Sequence, residues 1–328
     1  MKTKTVSNED VVELVKELKK YFDEVGGLKH IYLVACGGSH ANMEPLCCLI
    51  NSESKTIHCE NINGQEFADA TPINCNKNSL VIGLSLLGGT RETVAGLKKA
   101  KEYGAKVVTV GGVEKCKIAE QSEYHFVSTF EMIELGHVAV LLRIGFEILK
   151  QFENYTKYND AIKAFSIVED LTKKAKKKAS KLGKKWGAQY KDEPVVYTLG
   201  SGNLYTIAYM NSICLFMEMQ WVNTNSIHSG ELFHGPFEIT QEHTPFLMFE
   251  SIGRTRPLDE RALKFLNKYS KDVFVLDAKD FEVEKMGKVA EFMQPILMNE
   301  VGLSFMEEYM NARNHPMFLR KYMMKEEY

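Results

Sequence analysis

Apolar and polar positions alternate along the chain in blocks that predict strands and helices in turn. "SNEDVVELVKELKKYFDEVG" has apolar residues at helical spacing after an N-cap candidate, Ser7 or Asn8, and predicts a leading helix that stops at Gly26 and Gly27. Short apolar runs that end in glycine follow, namely "HIYLVACGG", "SLVIGLSLLGG" and "AKVVTVGG", with helical patterns after the first two. "YHFVSTF" predicts a further strand, and the run 132–150 predicts a closing helix. Strands that alternate with helices indicate a parallel sheet covered on both faces.

The same alternation restarts after a long charged stretch. Residues 151–192 are helical in pattern and predict a linker, in which the basic run 173–185 is either a nucleic-acid patch or, as we favour, the exposed side of a helix. "EPVVYTLGSG" then resembles the first strand and turn, "SIHSGE", "TPFLMFES" and "DVFVLDA" predict strands, and "LDERALKFLNKYS" and the run 288–312 predict helices. Two similar halves suggest an internal duplication.

Composition is that of a soluble globular protein with room for two domains. The chain has 328 residues, 45% hydrophobic and 26% charged, and its formal net charge of −2 gives no pull toward nucleic acid or an anionic membrane. Seven cysteines without a C-x-x-C pair indicate reduced thiols. Because the N-terminus lacks a signal-peptide core and no apolar stretch reaches the ~20 residues of a membrane span, we expect a cytoplasmic protein without a membrane partner.

Two glycine-rich turns in the first half join a strand to a helix. The turns are "CGGSH" and "SLLGGT", and the candidate substrate-binding residues in them are Gly37, Gly38, Ser39, Ser85, Gly88 and Thr90. Such turns leave backbone N–H groups at the positive end of a helix, which suits a phosphate. Neither has the P-loop or G-x-G-x-x-G spacing, so no nucleotide is implied. A purely structural role for each turn is the alternative.

Glu218 interrupts a helix that is otherwise apolar on nearly every face. From Ala208 to Trp221 the other polar side chains are Asn211, Ser212 and Gln220, which predicts a helix buried on all sides. Carboxylates in such places concentrate at functional sites, because desolvation perturbs their exchange of protons. The alternative is a structural glutamate paired with a buried cation or N–H group.

His234 lies sixteen residues further on, in "SGELFHGPFEI". A histidine held by a rigid Gly-Pro loop near a buried glutamate makes an acid and base pair possible, and Glu231 could orient its imidazole. A structural histidine is the alternative. His228 and His234 have no third ligand in view, so we expect no metal site.

Taken together, these motifs resemble the sugar isomerase (SIS) domains, and in particular the isomerase half of glucosamine-6-phosphate synthase. The segment "SICLFMEMQW…IHSGELFHGPFEIT" and the terminal "HP…RKYMMKEEY" resemble the bacterial fructosamine-6-phosphate deglycases more closely still. The resemblance begins near residue 27 and covers nearly all of the chain. It implies an α/β fold of two tandem SIS subdomains, each a mostly parallel sheet between helices in a three-layer, flavodoxin-like arrangement.

The resemblance also implies an organisation and a set of roles. The implied parts are an N-terminal helix (1–26), a first subdomain with the phosphate-binding turns (27–150), a helical linker (151–192), a second subdomain with the catalytic residues (193–300), and a C-terminal helix and tail (301–328). Glu218 is implied as the base, and His234 as the residue for ring opening or acid catalysis, supplied by the partner subunit of an obligate homodimer. Ser39, Ser85 and Thr90 are implied as phosphate ligands, and Ser201 and Glu231 join the predicted substrate-binding residues.

The chain also departs from the synthase pattern. Leu87 stands where a second serine is usual, and Leu215 where a lysine precedes the base by three residues. The second residue is Lys2 rather than a nucleophilic cysteine, so we expect no glucosamine synthesis from glutamine. No metal or organic cofactor is implied.

The expected activity is cleavage of a 6-phosphofructosamine to glucose 6-phosphate and a free amino acid through an enaminol. One alternative is an aldose–ketose phosphate isomerase that uses the same base. Another is a non-catalytic sugar-phosphate sensor, against which the Glu218 and His234 pair and the lack of a helix-turn-helix segment argue. The sequence leaves the released amino acid open. The basic residues that could recognise it, or simply lie on the surface, are Arg254, Arg256, Arg313, Arg320 and Lys321.

Overall fold

The structure is a computed structural model, and it describes residues 2–5, 7–128, 132 and 136–327. The chain divides into two compact units, Met1–Phe165 and Ser166–Tyr328. The boundary falls inside one long helix, Tyr158–Tyr190, which occupies most of the predicted linker. The five-part organisation expected from the sequence stays a prediction.

Unit 1 is built on a parallel sheet of six strands. In chain order the strands are β1 (Lys2–Thr5), β2 (His30–Ala35), β3 (His58–Asn63), β4 (Ser79–Ser85), β5 (Lys106–Gly111) and β6 (Tyr124–Val127). The helices are α1 (Asn8–Val25), α2 (Gly37–Glu53), α3 (Gly64–Asp69), α4 (Arg91–Glu102), α5 (His137–Glu153) and the first turns of α6 (Tyr158–Tyr190). The strand order is β1-β6-β5-β4-β2-β3. The prediction of a parallel sheet between helices is confirmed.

Three short elements of unit 1 escaped the sequence analysis. β1 pairs in parallel with β6, β3 pairs with β2, and α3 follows β3. The segments "KTKT" and "HCENIN" lack an apolar run because both strands lie at the edges of the sheet. The expected strand at "YHFVSTF" ends at Val127, and Thr129 and Phe130 lie outside the described residues.

Apolar side chains cover both faces of this sheet. On one face Tyr32, Val34 and Val81 pack with Phe67 of α3 and Leu97 of α4. On the other, α2 packs against α5, and α5 against α1. The leading helix begins as predicted, because the Ser7 hydroxyl accepts from the Asp10 N–H and the Asp10 carboxylate accepts from the Ser7 N–H.

Unit 2 repeats the central part of this topology with four parallel strands. The strands are β7 (Val195–Gly200), β8 (Asn223–His228), β9 (Phe246–Glu250) and β10 (Val273–Asp277), in the order β10-β9-β7-β8. The helices are α7 (Tyr205–Met210), a π-helical segment (Asn211–Glu218), α8 (Arg256–Tyr269) and α9 (Ala290–Arg313). Substituting β2, β3, β4 and β5 for β7, β8, β9 and β10 gives the order found in unit 1. The prediction of two similar α/β subdomains is confirmed.

The core of unit 2 explains the charged pattern of α6. Along its second half the buried side chains include Ala175, Ala179 and Trp186, and the Trp186 ring meets Phe274 of β10 and Phe305 of α9 edge-on or tilted. Most lysines of the run 173–185 lie on the opposite, exposed side. Within the described part of the chain, none of the helices combines the length and the apolar character that crossing a membrane requires.

Candidate active site

Both glycine-rich turns of unit 1 lie at the point where the strand order reverses. β2 and β4 are parallel neighbours, with Val34 opposite Gly83. The chain leaves β2 for β3 on one side and returns to β4 on the other, so the carboxyl ends of β2 and β4 border the switch point of the sheet. In open α/β sheets the crevice at this point is where ligands bind. The turns that contain Ser39 and Ser85 therefore lie side by side at a favoured ligand position.

The turn after β4 presents two hydroxyl groups. Ser85 Oγ and Thr90 Oγ1 lie 2.9 Å apart, and the Gly88 N–H donates to the Ser85 carbonyl at 3.1 Å. Thr90 precedes the first residue of α4, but its side chain makes no capping hydrogen bond, so its hydroxyl stays directed to Ser85. Gly88 has a φ of +67°, and a Cβ at this position would lie 2.3 Å from Cys116 Sγ. Glycine is required there because the positive φ disfavours other residues and because no room exists for a side chain.

The turn after β2 opens directly into a helix. α2 begins at Gly37, and the preceding Cys36 makes no side-chain capping bond. The first N–H groups of a helix have no intrahelical partner, which leaves those of Gly37, Gly38 and Ser39 at the positive end of the helix dipole. Ser39 is half-buried. The first turn of α2 thus presents backbone N–H donors of the kind that suit an anion, and the predicted role of Gly37, Gly38 and Ser39 in binding phosphate stays a prediction.

Leu86 and Leu87 occupy the tip of the turn after β4. Their side chains are 43% and 62% exposed. The Leu86 carbonyl accepts from the Gly112 N–H at 2.9 Å, which ties this turn to the loop after β5. The donors of this turn are accordingly its hydroxyl and backbone N–H groups, because the leucine side chains offer none.

In unit 2, Glu218 is the last residue of the π-helical segment that continues α7. π-Helical turns are rare in proteins, and those that occur are often found at functional sites. The expected burial on every side is wrong at this end: Met217 is 43% and Trp221 39% exposed, and the Glu218 side chain is 23% exposed. The reason is that the helix stops here, where the chain turns away toward β8.

Arg320 is the partner of Glu218. Its Nη2 donates to Glu218 Oε1 at 2.6 Å, and the two side chains are 16% and 23% exposed. Charge-assisted contacts of this length are among the stronger hydrogen bonds of proteins. The sequence analysis named Arg320 only as one of several basic residues that could recognise an amino acid. Its position beside the predicted base, 102 residues away in sequence, is a property of the fold.

The segment that carries Arg320, residues 315–325, lies against the end of the same helix. Gln220 Nε2 donates to the His315 carbonyl at 2.8 Å, and the His315 ring meets the Trp221 ring edge-on at 4.5 Å between centroids. Lys321 Nζ lies 4.3 Å from the centre of the Trp221 ring. The C-terminal segment therefore covers the surroundings of Glu218 through polar and cation–ring contacts.

His234 lies on a compact turn, residues 229–235, with its side chain exposed. The turn is anchored by Leu232, which is fully buried, and by the Phe233 ring, which packs against Phe237 and Phe265. Gly235, with a φ of +130°, connects it to Pro236. The turn is therefore firmly packed on unit 2, and the His234 imidazole that it carries faces solvent.

Glu231 does not orient the imidazole through its carboxylate. The His234 N–H donates to the Glu231 carbonyl at 2.9 Å, and the Glu231 side chain is exposed. Glu231 thus shapes the turn through its backbone. Across the described residues, no group of three or more His, Cys, Asp or Glu side chains is arranged to hold a metal ion.

Ser201 marks the position in unit 2 that corresponds to the turn after β2. Its side chain is fully buried, and its Oγ donates to the Thr255 carbonyl at 3.2 Å and lies 3.4 Å from Ser251 Oγ. Ser251 Oγ in turn donates to Asp259 at 2.6 Å. Protein side chains thus occupy the switch point of this sheet, and the predicted role of Ser201 in substrate binding stays a prediction.

A buried acidic cluster beside it was missed by the sequence analysis. Arg256 contacts Glu250 at 2.9 Å and Asp277 through two hydrogen bonds of 2.9 Å. Burial, and then the neighbouring Asp277 carboxylate, raise the pKa of Glu250 to about 7. Glu250 and Asp277 are the last residues of β9 and β10. A carboxylate at the end of each of two apolar runs is the sequence pattern from which this cluster could have been predicted. Arg256 is held inside unit 2 by these contacts.

Solved structures share this architecture. A chain from Salmonella typhimurium, whose assignment as a phosphosugar isomerase is itself provisional, superposes with a TM-score of 0.95 at 34% identity, covering 100% of this chain and 99% of that one. The C-terminal domain of glucosamine-fructose-6-phosphate aminotransferase from Francisella tularensis shares the fold, with a TM-score of 0.78 at 17% identity over 94% of each chain. This chain therefore has the two-subdomain α/β fold that these structures share.

Sequence comparison gives the particular family. Residues 27–148 match the SIS domain. The chain is 35% identical to fructosamine deglycase FrlB of Bacillus subtilis in an alignment of 321 residues that covers 95% of this chain and 97% of that protein. It is 26% identical to fructoselysine 6-phosphate deglycase of Escherichia coli over 254 residues, 76% of this chain and 73% of that one. The chain belongs to the SIS domain family, in the group that contains the Bacillus subtilis deglycase.

Proposed function

We propose that this protein is a fructosamine-6-phosphate deglycase. It cleaves a 6-phosphofructosamine, a sugar phosphate that carries an amino acid through its nitrogen, to glucose 6-phosphate and the free amino acid. The observation that carries the proposal is the 35% identity to fructosamine deglycase FrlB over 95% of this chain. The position of Glu218 at the end of a π-helical segment supports it, because the reaction requires a base at carbon.

The reaction begins with opening of the sugar ring, followed by removal of a proton from carbon. His234 assists opening of the sugar ring, which exposes a ketone at C2 next to the aminated C1. Glu218 removes a proton from C1, and the C2 oxygen gains one, which gives the enaminol. The substrate's own carbonyl accepts the electron pair, so the protein's residues have only protons to move in this step.

Hydrolysis of an imine completes the reaction. Glu218 returns the proton to C2 while the nitrogen loses its proton, and the electron pair moves to form a C1–N double bond. Water adds to C1, the C–N bond breaks, and the aldehyde of glucose 6-phosphate and a free amine result. C2 is reduced from a ketone to an alcohol as C1 is oxidised from an amine carbon to an imine carbon, so no external oxidant or reductant is consumed.

We assign the phosphate group to the turns of unit 1. The hydroxyls of Ser39, Ser85 and Thr90 and the N–H groups that start α2 supply donors, with Gly37, Gly38 and Gly88 allowing close approach of the backbone. Support comes from the position of both turns at the switch point of the sheet.

We also propose a homodimer in which His234 serves the active site of the partner subunit. The exposed imidazole on a firmly packed turn supports this, because it can project into a neighbouring molecule. Glu231 contributes to substrate binding by holding that turn.

A cytoplasmic location and the absence of a nucleic-acid partner remain part of the proposal. All seven cysteines are free thiols, which fits a reducing compartment.

A coupled assay tests the proposal. Purified protein is given 6-phosphofructosyl derivatives of several amino acids, and glucose 6-phosphate is followed with its dehydrogenase. Turnover that depends on the glycated compound is expected. Conversion of fructose 6-phosphate at a comparable rate would instead identify an aldose–ketose isomerase, and binding of the glycated phosphates without turnover would identify a sensor.

A further inference from the structure

The contact between Arg320 and Glu218 creates a requirement for the proposed reaction. While Arg320 Nη2 holds Glu218 Oε1 at 2.6 Å, a guanidinium occupies one oxygen of the base and the space beside it. Substrate carbon must approach this carboxylate closely for a proton to be transferred. A group on the entering substrate that binds Arg320 would remove the guanidinium from Glu218 and leave this carboxylate able to accept a proton.

The guanidinium is placed so that it can exchange one carboxylate for another. Its Nη1 donates to the carbonyl groups of Met317 and Leu319, which belong to its own segment. These contacts orient the fork of Arg320 independently of Glu218. The segment itself buries little apolar surface, since Phe318 is 83% and Tyr322 72% exposed, so a small shift leaves few packing contacts behind.

The chemistry of the substrate supplies a matching carboxylate. In an amino acid glycated on its α-nitrogen, the carboxylate lies three covalent bonds from the C1 carbon on which Glu218 acts. In a lysine glycated on its side chain, the carboxylate lies at the far end of that chain. A guanidinium in contact with the base is thus next to the first carboxylate and distant from the second. Arginine is the side chain that binds carboxylates through two parallel hydrogen bonds.

We propose that Arg320 is a specificity residue that binds the α-carboxylate of the glycated amino acid, leaving Glu218 as it does so. The enzyme therefore prefers substrates whose glycated nitrogen is adjacent to a carboxylate. This inference rests on the proposed deglycase activity, and what it adds is the residue that selects the glycated amino acid.

Two substrates that differ only in the carboxylate test the inference. They are the 6-phosphofructosyl derivatives of alanine and of ethylamine, compared by kcat/KM. The wild-type enzyme should prefer the alanine derivative by roughly 10-fold to 100-fold, as expected for a charged hydrogen bond. Arg320→Leu should bring the ratio close to one, mainly through loss of activity on the alanine derivative. Arg320→Lys, which keeps the charge without the fork, should retain a reduced preference.

The neighbouring cation provides the control. Lys321→Leu removes a positive charge one residue away, and the preference should persist. Loss of the preference in this variant as well would assign it to the general charge of the segment and overturn the role of Arg320. Equal loss of activity on both substrates in a folded Arg320→Leu protein would also overturn it, since Arg320 would then act only through Glu218.

The outcomes separate the inference from the function on which it rests. If the wild-type enzyme releases glucose 6-phosphate from neither compound, nor from the derivative of lysine glycated on its side chain, the deglycase proposal fails. If it cleaves both test compounds with similar kcat/KM, the deglycase proposal stands and the inference about Arg320 is wrong.

Discussion

The hydroxyl oxygens of Ser85 and Thr90 lie 2.9 Å apart across the turn that follows β4. The hydrogen bond between them uses the proton of only one hydroxyl, so the other hydroxyl can donate outward. An entering anion can accept hydrogen bonds from both hydroxyls. Ser85 is almost fully buried and Thr90 half-buried, so a bound anion would be partly withdrawn from water. Hydrogen bonds to charge are then stronger than at an open surface.

Replacing either hydroxyl should weaken binding of phosphorylated ligands. For Ser85→Ala and Thr90→Ala we expect the affinity for glucose 6-phosphate to fall by about 1 to 3 kcal/mol each, the contribution of a hydrogen bond to a charged group. The helix start should be preserved, because Thr90 makes no side-chain capping bond. Isothermal titration calorimetry measures the affinities. Ser52→Ala, at the exposed other end of α2, is the control, and unchanged affinity in both turn variants would place the phosphate elsewhere.

Removing the proposed base should abolish turnover and leave the protein folded. Glu218→Gln keeps the shape of the side chain but cannot take a proton, and kcat should fall by roughly 100-fold to 10,000-fold. Steady-state assays of glucose 6-phosphate release measure the loss.

A matched control exists within unit 2. Glu300 is also a half-buried glutamate in an ion pair, with Lys176 Nζ 2.8 Å from its carboxylate. Glu300→Gln removes a comparable pair and should retain most of the activity. A Glu218→Gln enzyme as active as this control would show that another residue is the base.

Mixing two inactive variants should restore activity if active sites are shared between subunits. Glu218→Gln and His234→Ala each lack one predicted group. A heterodimer formed by subunit exchange has one site with both defects and one with neither, so about half of the wild-type activity per heterodimer is expected. Native mass spectrometry verifies the exchange. Two variants that stay inactive as confirmed heterodimers would place Glu218 and His234 of one chain in the same site.

The acidic cluster of unit 2 should make stability depend on pH. The folded protein raises the pKa of Glu250 from its ordinary value of 4.5 to about 7, first through burial and then through Asp277. Protonated Glu250 therefore stabilises the fold fully below about pH 4.5, and this contribution is lost as the pH rises through about 7. Glu250→Gln, which stays neutral, should gain stability relative to wild type between pH 5 and pH 8, on the order of 2 kcal/mol.

Thermal unfolding at the two pH values measures this difference. The Tm of Glu250→Gln minus that of wild type should be more positive at pH 8 than at pH 5. Glu238→Gln, which changes an exposed glutamate, should give nearly the same difference at both. A Glu250→Gln variant destabilised equally at both pH values would show that Glu250 is needed in its ionised form.

The sequence alone determined the type of architecture, two parallel sheets between helices, but not every strand of it. Apolar runs ending in glycine, as in β2 and β4, predict parallel strands because a strand buried on both faces must be apolar at consecutive positions. The glycine-rich turns and the Glu218 helix were found in the same way, since helix starts and interrupted apolar faces are local patterns. Strands at the sheet edges, such as β1 and β3, were missed because edge strands do not need that composition.

The tertiary structure alone decided which distant side chains meet. Arg320 contacts Glu218 across 102 residues, and no local pattern distinguishes Arg320 from Arg313 or Lys321. Ser201 was predicted from a turn much like that of Ser39, yet Thr255 and Ser251 surround it because the loop after β9 folds over the end of β7. Periodicity is set by the local backbone and can be read from the sequence. Contacts between segments far apart are set by packing and become visible only in the folded chain.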